Sequence, residues 1–267
     1  MLQAALNGDR DRTAHPAVPL SRDELVRDAV ACVAAGAKEL HLHPRDGEGR
    51  ESLEPTVIDA VASRVRAACG APVGVSTGAW IEPDLERRIA LVRSWSAPDY
   101  ASVNVSEPGF EKVLAALLEA GVGVEAGVWS VEDAERLAAA GPQPHLVRVL
   151  VEPVTPPPDR AVEIVAGIHA ALDAAGVVAP RLQHGDGPAT WRLIDDAAHR
   201  GLATRVGLED VLVLPDGSPA RDNAALVATA AARIQSAGSL AGSVTYGADD
   251  DLTRPIDIAW DARDGAA

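Results

Sequence analysis

The stretch "SRDELVRDAVACVAAGAKELHLHPRDGEGR", Ser21 to Arg50, holds one complete repeat of the chain's pattern. Ser21 has the side chain of a helix N-cap, and Glu24 three residues on completes a capping box. Apolar residues then recur at helical spacing until Gly36 ends the run. "ELHLHP", Glu39 to Pro44, alternates polar and apolar as a strand does. Polar residues, Arg45 and Asp46 among them, follow where that strand stops.

The same pattern extends in both directions. Strand-like runs occur at Leu2 to Asn7, Pro72 to Thr77, Tyr100 to Val105 and Gly123 to Trp129. Three more follow at Leu146 to Pro153, Arg181 to Gly185 and Ala203 to Asp210. Helical patterns such as Phe110 to Ala120 and Asp159 to Ala175 separate them, and Asn223 to Ile234 reads as the last helix. Alternating β and α argues for a parallel sheet. Eight such units within about 235 residues argue for α/β architecture of the closed (β/α)8 TIM-barrel type. The competing arrangement, a doubly wound open sheet, calls for a Gly-rich nucleotide loop after the first strand. "LNGDRDRTAHP", Leu6 to Pro16, contains no such loop, and no phosphate-binding Walker motif occurs anywhere.

Composition limits the remaining choices. The chain has 267 residues, 47% hydrophobic and 24% charged, an ordinary globular balance. Aromatic residues are 3%, so an aliphatic core is expected. A net charge of −15 repels a polyanionic duplex, and no nucleic-acid partner is expected. Met1 leads into a strand-like run without a basic leader, and no apolar run reaches transmembrane length. A cytoplasmic location with no membrane partner is therefore expected. Cys32 and Cys69 lie in apolar helical patterns and read as buried thiols. Residues 1–237 are expected to form a single barrel domain. Beyond it, 238–267 carries Asp249, Asp250 and Asp251, and reads as an acidic tail, partly ordered or packed on a neighbouring subunit.

In a barrel of this type the active site forms at the C-terminal ends of the strands. Polar residues collect there in this chain. Side chains at i and i+2 of a strand face the same way, so His41 and His43 point together into the barrel mouth. Two neutral imidazoles on one face suit a divalent metal such as zinc, and a third ligand from another strand would leave a coordination position open. Glu209, at the end of the eighth strand, is the best candidate for that ligand. A pair of histidines that only binds substrate or caps a loop is the plainer reading. "RVGLED", Arg205 to Asp210, is the second dense site. It reads either as an Arg–Glu pair in a polar barrel layer or as an anion-binding arginine beside a ligand carboxylate, with Asp210 as a base or as the partner that orients Arg205. His184 ends the seventh strand and reads equally as a substrate contact or a loop support. His15, His145 and His199 read as structural or solvated. Trp80 and Trp129 follow strands and can wall a pocket.

These motifs resemble a family. "AGAKELHLHPRDGEGR", Ala35 to Arg50, and "RVGLEDVLVLPDG", Arg205 to Gly217, are similar to segments of the β-keto acid cleavage enzymes, a group typified by the 3-keto-5-aminohexanoate cleavage enzyme. "VSTG", Val75 to Gly78, and "AVPLSRDELVRDA", Ala17 to Ala29, fit as well. The resemblance implies a (β/α)8 barrel assembled as a homotetramer. It implies a zinc or similar divalent ion held by His41, His43 and Glu209. The reaction would join a small β-keto acid and acetyl-CoA to give acetoacetate and the CoA ester of the shortened acid. Arg205 and Asp210 would handle the substrate carboxylate and proton transfer, and Glu125 would act later in the cycle. Ser76 and Asn104 would line the substrate site, and Asp9 falls where the family has a Glu that contacts the distal group.

Some positions depart from the family pattern. "NGDR", Asn7 to Arg10, replaces the usual start, Pro44 replaces an apolar residue, and the loops that receive CoA are short. Two other classes share these features. A metal-dependent aldolase or hydrolase of barrel type would use the same ligands without CoA. A non-catalytic barrel would bind a small carboxylate as a sensor.

Overall fold

A computed structural model describes residues 1–141 and 146–242 of the chain, with side chains described as far as 237. Eight strands close into a parallel barrel in sequence order. They are β1 (Leu2–Ala5), β2 (Glu39–Leu42), β3 (Val73–Ser76), β4 (Tyr100–Asn104), β5 (Gly123–Val128), β6 (Leu146–Val151), β7 (Arg181–Gln183) and β8 (Ala203–Val206). The helices between and after them are α1 (Arg22–Ala34), α2 (Pro55–Cys69), α3 (Leu85–Val92), α4 (Phe110–Glu119), α5 (Val131–Ala139), α6 (Ala161–Ala174), α7 (Thr190–His199) and α8 (Asn223–Gly242). The (β/α)8 barrel expected from the alternation is the observed fold.

Local chemistry accounts for the element starts. Ser21 and Glu24 form the capping box that opens α1. Asp84 and Ser130 cap α3 and α5 by accepting from backbone N–H groups inside the first turn. Pro55 opens α2, and Gly70 closes it in the left-handed conformation. The seam between β1 and β8 depends on Gly207, because a Cβ there would lie 1.7 Å from the Ala5 carbonyl oxygen.

Leu40, Leu42, Val73, Val75, Ile58 and Val65 belong to an aliphatic shell between strands and helices, as the composition predicts. The barrel interior is different. Below the mouth, Gln3, Tyr100, Glu125 and Arg148 form a buried polar layer. Gln3 Nε2 donates to Tyr100 Oη and to Glu125 Oε1, and Tyr100 Oη donates to the Leu40 carbonyl. Arg148 pairs with Glu39 and lies 3.1 Å from Glu125 Oε1. Gly74 leaves the space that the Tyr100 ring fills.

Three expectations change. The last helix runs past Ile234 to Gly242, so residues 238–242 extend α8, and the rest of the acidic tail lies outside the described residues. β8 ends at Val206, and Gly207 to Asp210 form a turn, because Asp210 N and Val211 N both donate to the Gly207 carbonyl. Cys32 is buried, but Cys69 is only half-buried; both are free thiols. Among the described residues no helix is long and apolar enough to cross a membrane.

Candidate metal centre and active site

His41 is the inward residue near the end of β2, and His43 lies just past it. Asn7, past the end of β1, fixes the backbone of His43 on both sides. Its Nδ2 donates to the His43 carbonyl (2.8 Å), and its Oδ1 accepts from His43 N (2.9 Å). The two rings meet edge to face, with centroids 5.2 Å apart. Their Nε2 atoms are 3.2 Å apart.

The turn after β8 delivers the third group. In a continuing strand Glu209 and Asp210 would face opposite ways. The turn brings both to Arg205, whose Nη2 donates to Glu209 Oε1 and to Asp210 Oδ1, each at 2.7 Å. Glu209 Oε1 then lies 3.8 Å from His41 Nε2 and 3.7 Å from His43 Nε2. Gly8 makes room for this: with φ at +55°, it has no side chain, and a Cβ there would sit 2.5 Å from Glu209 Cγ.

These three residues fit a divalent ion. One donor atom from each lies within 4.8 Å of the others. Ligand atoms of a tetrahedral ion with bonds of about 2.1 Å stand about 3.4 Å apart, close to the observed spacings. Glu209 Oε2 is buried with no hydrogen-bond partner among the described residues. Glu51 sets the tautomer of His43. Its Oε1 accepts from Nδ1 at 2.5 Å, which leaves Nε2 as a lone pair facing the site. Burial holds His41 neutral and drops its pKa to about 3, against the pull of Glu209. Burial opposes charge on His43 as well, but Glu209 and Glu51 outweigh it and raise its pKa. Burial would raise Glu209, yet Arg205 and the two imidazoles hold it down at about 2, so it is an anion ready to ligate. For Asp210, burial prevails over Arg205 and raises the pKa.

His41, His43 and Glu209 open into a cavity of about 530 Å³ that Arg205, Asp210, Ser76 and Asn104 also line. Asn104 is positioned by Glu107, which accepts from its Nδ2 at 2.8 Å. Asp9 is exposed at the rim of the same cavity. Trp80 and Trp129 wall it, and Trp80 stacks on His43. Glu125 stands apart from this cavity. It is fully buried in the polar layer beneath and is not among the residues lining the cavity. Burial raises its pKa to about 7, with Arg148 and Gln3 partly offsetting it. His15 is structural: its Nδ1 accepts from Ala17 N and its Nε2 donates to the Ala220 carbonyl. His199 is exposed on α7, and His145 lies outside the described residues.

Two contributors, Glu51 and Arg10, escape a reading of the sequence by strand ends; Asn7 and Glu152 fall at the ends of strand-like runs, but their partners are not written there. Asn7 and Glu51 act on His43 from two other segments. Glu152 follows β6, and its carboxylate accepts from His184 and from Trp129. Arg10 lines the rim and donates to the Glu209 carbonyl. For Glu51 the only hint was an acidic residue soon after the histidine pair.

Fold and site together define a (β/α)8-barrel protein with a His-His-Glu group able to hold a metal, beside a buried arginine–carboxylate pair. A family model described as beta-keto acid cleavage enzyme matches residues 1–243, and the chain belongs to that family. A curated relative, the 3,5-dioxohexanoate:acetyl-CoA acetone transferase of Paraburkholderia graminis, is 27% identical over 96 residues. That match takes in 36% of this chain and 31% of the relative. Among solved structures, the binary complex of ObcA with oxaloacetate superposes with a TM-score of 0.64 at 20% identity, covering 84% of this chain and 64% of that one. The type I 3-dehydroquinate dehydratase of Clostridium difficile gives 0.60 at 10% identity, covering 91% and 93%. This chain thus spans about a third of the curated relative and under two thirds of ObcA, and the structural matches speak to the fold alone.

Proposed function

We propose that the chain is an acyltransferase that cleaves a small β-keto acid with acetyl-CoA. The products are acetoacetate and the CoA ester of the shortened acid, formed by Claisen and retro-Claisen steps. The observation that carries this reading is the meeting of His41, His43 and Glu209 with the Arg205–Asp210 pair in one cavity. Family membership supports it, as does the acetyl-CoA named in the relative's activity. A ternary complex of ObcA contains a C4-CoA adduct and oxalate.

His41, His43 and Glu209 would hold the ion, and zinc is our assignment because two imidazoles and a carboxylate suit it. When bound, the ion supplies a Lewis acid that polarises the β-keto oxygen. Arg205 Nη1 takes none of the arginine's hydrogen bonds among the described residues, and is the edge we assign to the substrate carboxylate. Asp210 takes the proton from the carbon between the two carbonyls. Ser76 and Asn104 orient the substrate, and Asp9 meets its distal end. A homotetramer in the cytoplasm completes the proposal.

The test is a panel of β-keto acids from acetoacetate to 3-oxoadipate, each with metal-loaded protein, with and without acetyl-CoA. At least one acid should yield acetoacetate and a new CoA ester, and only when acetyl-CoA is present. Cleavage without acetyl-CoA would indicate an aldolase or hydrolase instead. No turnover of any acid would contradict the proposal.

A further inference from the structure

The retro-Claisen half of the reaction needs a group that takes the thiol proton of CoA and later returns a proton to carbon. Asp210 is assigned to the first half, where it takes the carbon proton, and both its oxygens accept from Arg205. Glu125 lies beneath the cavity floor, outside its lining. Two steps further along β5, at cavity level, the same strand face carries Gly127, which has no side chain. Glu152 from the next segment fills that space, its Oε1 2.5 Å from where a Gly127 Cβ would stand.

Both oxygens of Glu152 are committed. Oε1 accepts from Trp129 Nε1 at 3.1 Å, and Oε2 accepts from His184 Nε2 at 2.7 Å. A carboxylate only accepts, so the proton of the His184–Glu152 bond sits on Nε2. In the neutral ring Nδ1 is then a bare lone pair. That atom is buried, has no hydrogen-bond partner among the described residues, and lies 3.8 Å from Asp210 Oδ1. His184 lines the same cavity as the metal ligands. A buried acceptor with no partner is costly to keep unless something it serves enters the site.

We propose that His184 is a second catalytic residue, the base that activates the CoA thiol, and that Glu152 positions it. The inference rests on the acetyl-CoA-dependent reading above. In this step the S–H proton moves to His184 Nδ1 and sulfur forms a bond to the keto carbon. The bond between the keto carbon and the acetoacetate unit breaks, its electron pair leaving on the α-carbon of acetoacetate while the keto carbonyl re-forms as the CoA ester. The imidazolium then gives its proton to that α-carbon, restoring neutral His184 and releasing acetoacetate.

The test separates the two halves with the panel acid that wild type turns over fastest. His184→Asn should lower steady-state turnover about 10²- to 10⁴-fold. A quenched single turnover should show about one free CoA per site, because the first half still releases it, with no new CoA ester. Glu152→Gln should slow ester formation at least tenfold with the KM for the keto acid little changed. Wild-type rates in both variants would overturn the inference and leave the cleavage reading intact. So would loss of CoA release together with ester formation, since that places His184 in the first half or in the scaffold. Failure of wild type to use acetyl-CoA with any acid would instead overturn the cleavage reading, and this inference with it.

Discussion

His43 shows how much of the centre rests on residues that are not ligands. Asn7 holds its backbone, Glu51 holds its Nδ1, and Trp80 stacks on its ring while donating to Glu51 Oε2. Glu51 reaches this place through a short loop. Asp46 accepts from the backbone of Glu48 and Arg50, and Arg45 donates to the Gly8 and Arg10 carbonyls. The Arg45 and Asp46 that follow the histidines therefore build the loop. Glu51→Gln is expected to weaken zinc binding about 10- to 100-fold, as removal of such outer partners does. Competition with a chelator on the isolated variant measures this without any activity assay; unchanged affinity would reject the role. The candidate ligands themselves were legible in the sequence, because His41 and His43 share a strand period and Glu209 falls near the end of another strand-like run. Glu51 was not, since a loop residue carries no period that announces its direction, and Asn7 and Glu152 were legible only as polar strand ends, not in the partners they meet.

The strands carry a second message in their interior layer. Alternation along β2 and the capping box of α1 were readable from residue types and spacing. The turn that ends β8 was not, because "VGLED" continues the strand pattern and only the backbone bonds to Gly207 break it. The charged layer of Gln3, Tyr100, Glu125 and Arg148 was equally hidden, since the composition pointed to an aliphatic interior. That layer has a consequence for stability. Burial raises Glu125 from 4.5 to about 7, so the folded state holds its proton more tightly than the unfolded chain does. The stabilisation is fully present below pH 4.5 and is lost as pH rises through about 7. A shift of that size corresponds to a difference on the order of 3 kcal/mol. Denaturant unfolding of Glu125→Gln between pH 4.5 and 7.5 should show a flatter profile than wild type. Parallel profiles would mean that Glu125 titrates normally.

For the molecule as a whole, the alternation of strands and helices placed the barrel, and the barrel placed the mouth. What lies beyond Gly242 falls outside the described residues, and the sequence offers only its acidity there. The net charge of −15 bears on the proposed co-substrate, which is itself a polyanion. Repulsion between like charges is screened by salt. The KM for acetyl-CoA should therefore fall as ionic strength rises from 20 to about 200 mM; a KM that rises instead would reveal a local basic site that outweighs the net charge. The metal centre remains the claim on which the rest depends. Elemental analysis of wild type and His41→Ala, each purified without chelators and incubated with zinc, tests it most directly. The account predicts about one divalent ion per chain in wild type and a loss of most of it in the variant. A metal-free wild type, or a variant that keeps its full complement, would contradict it.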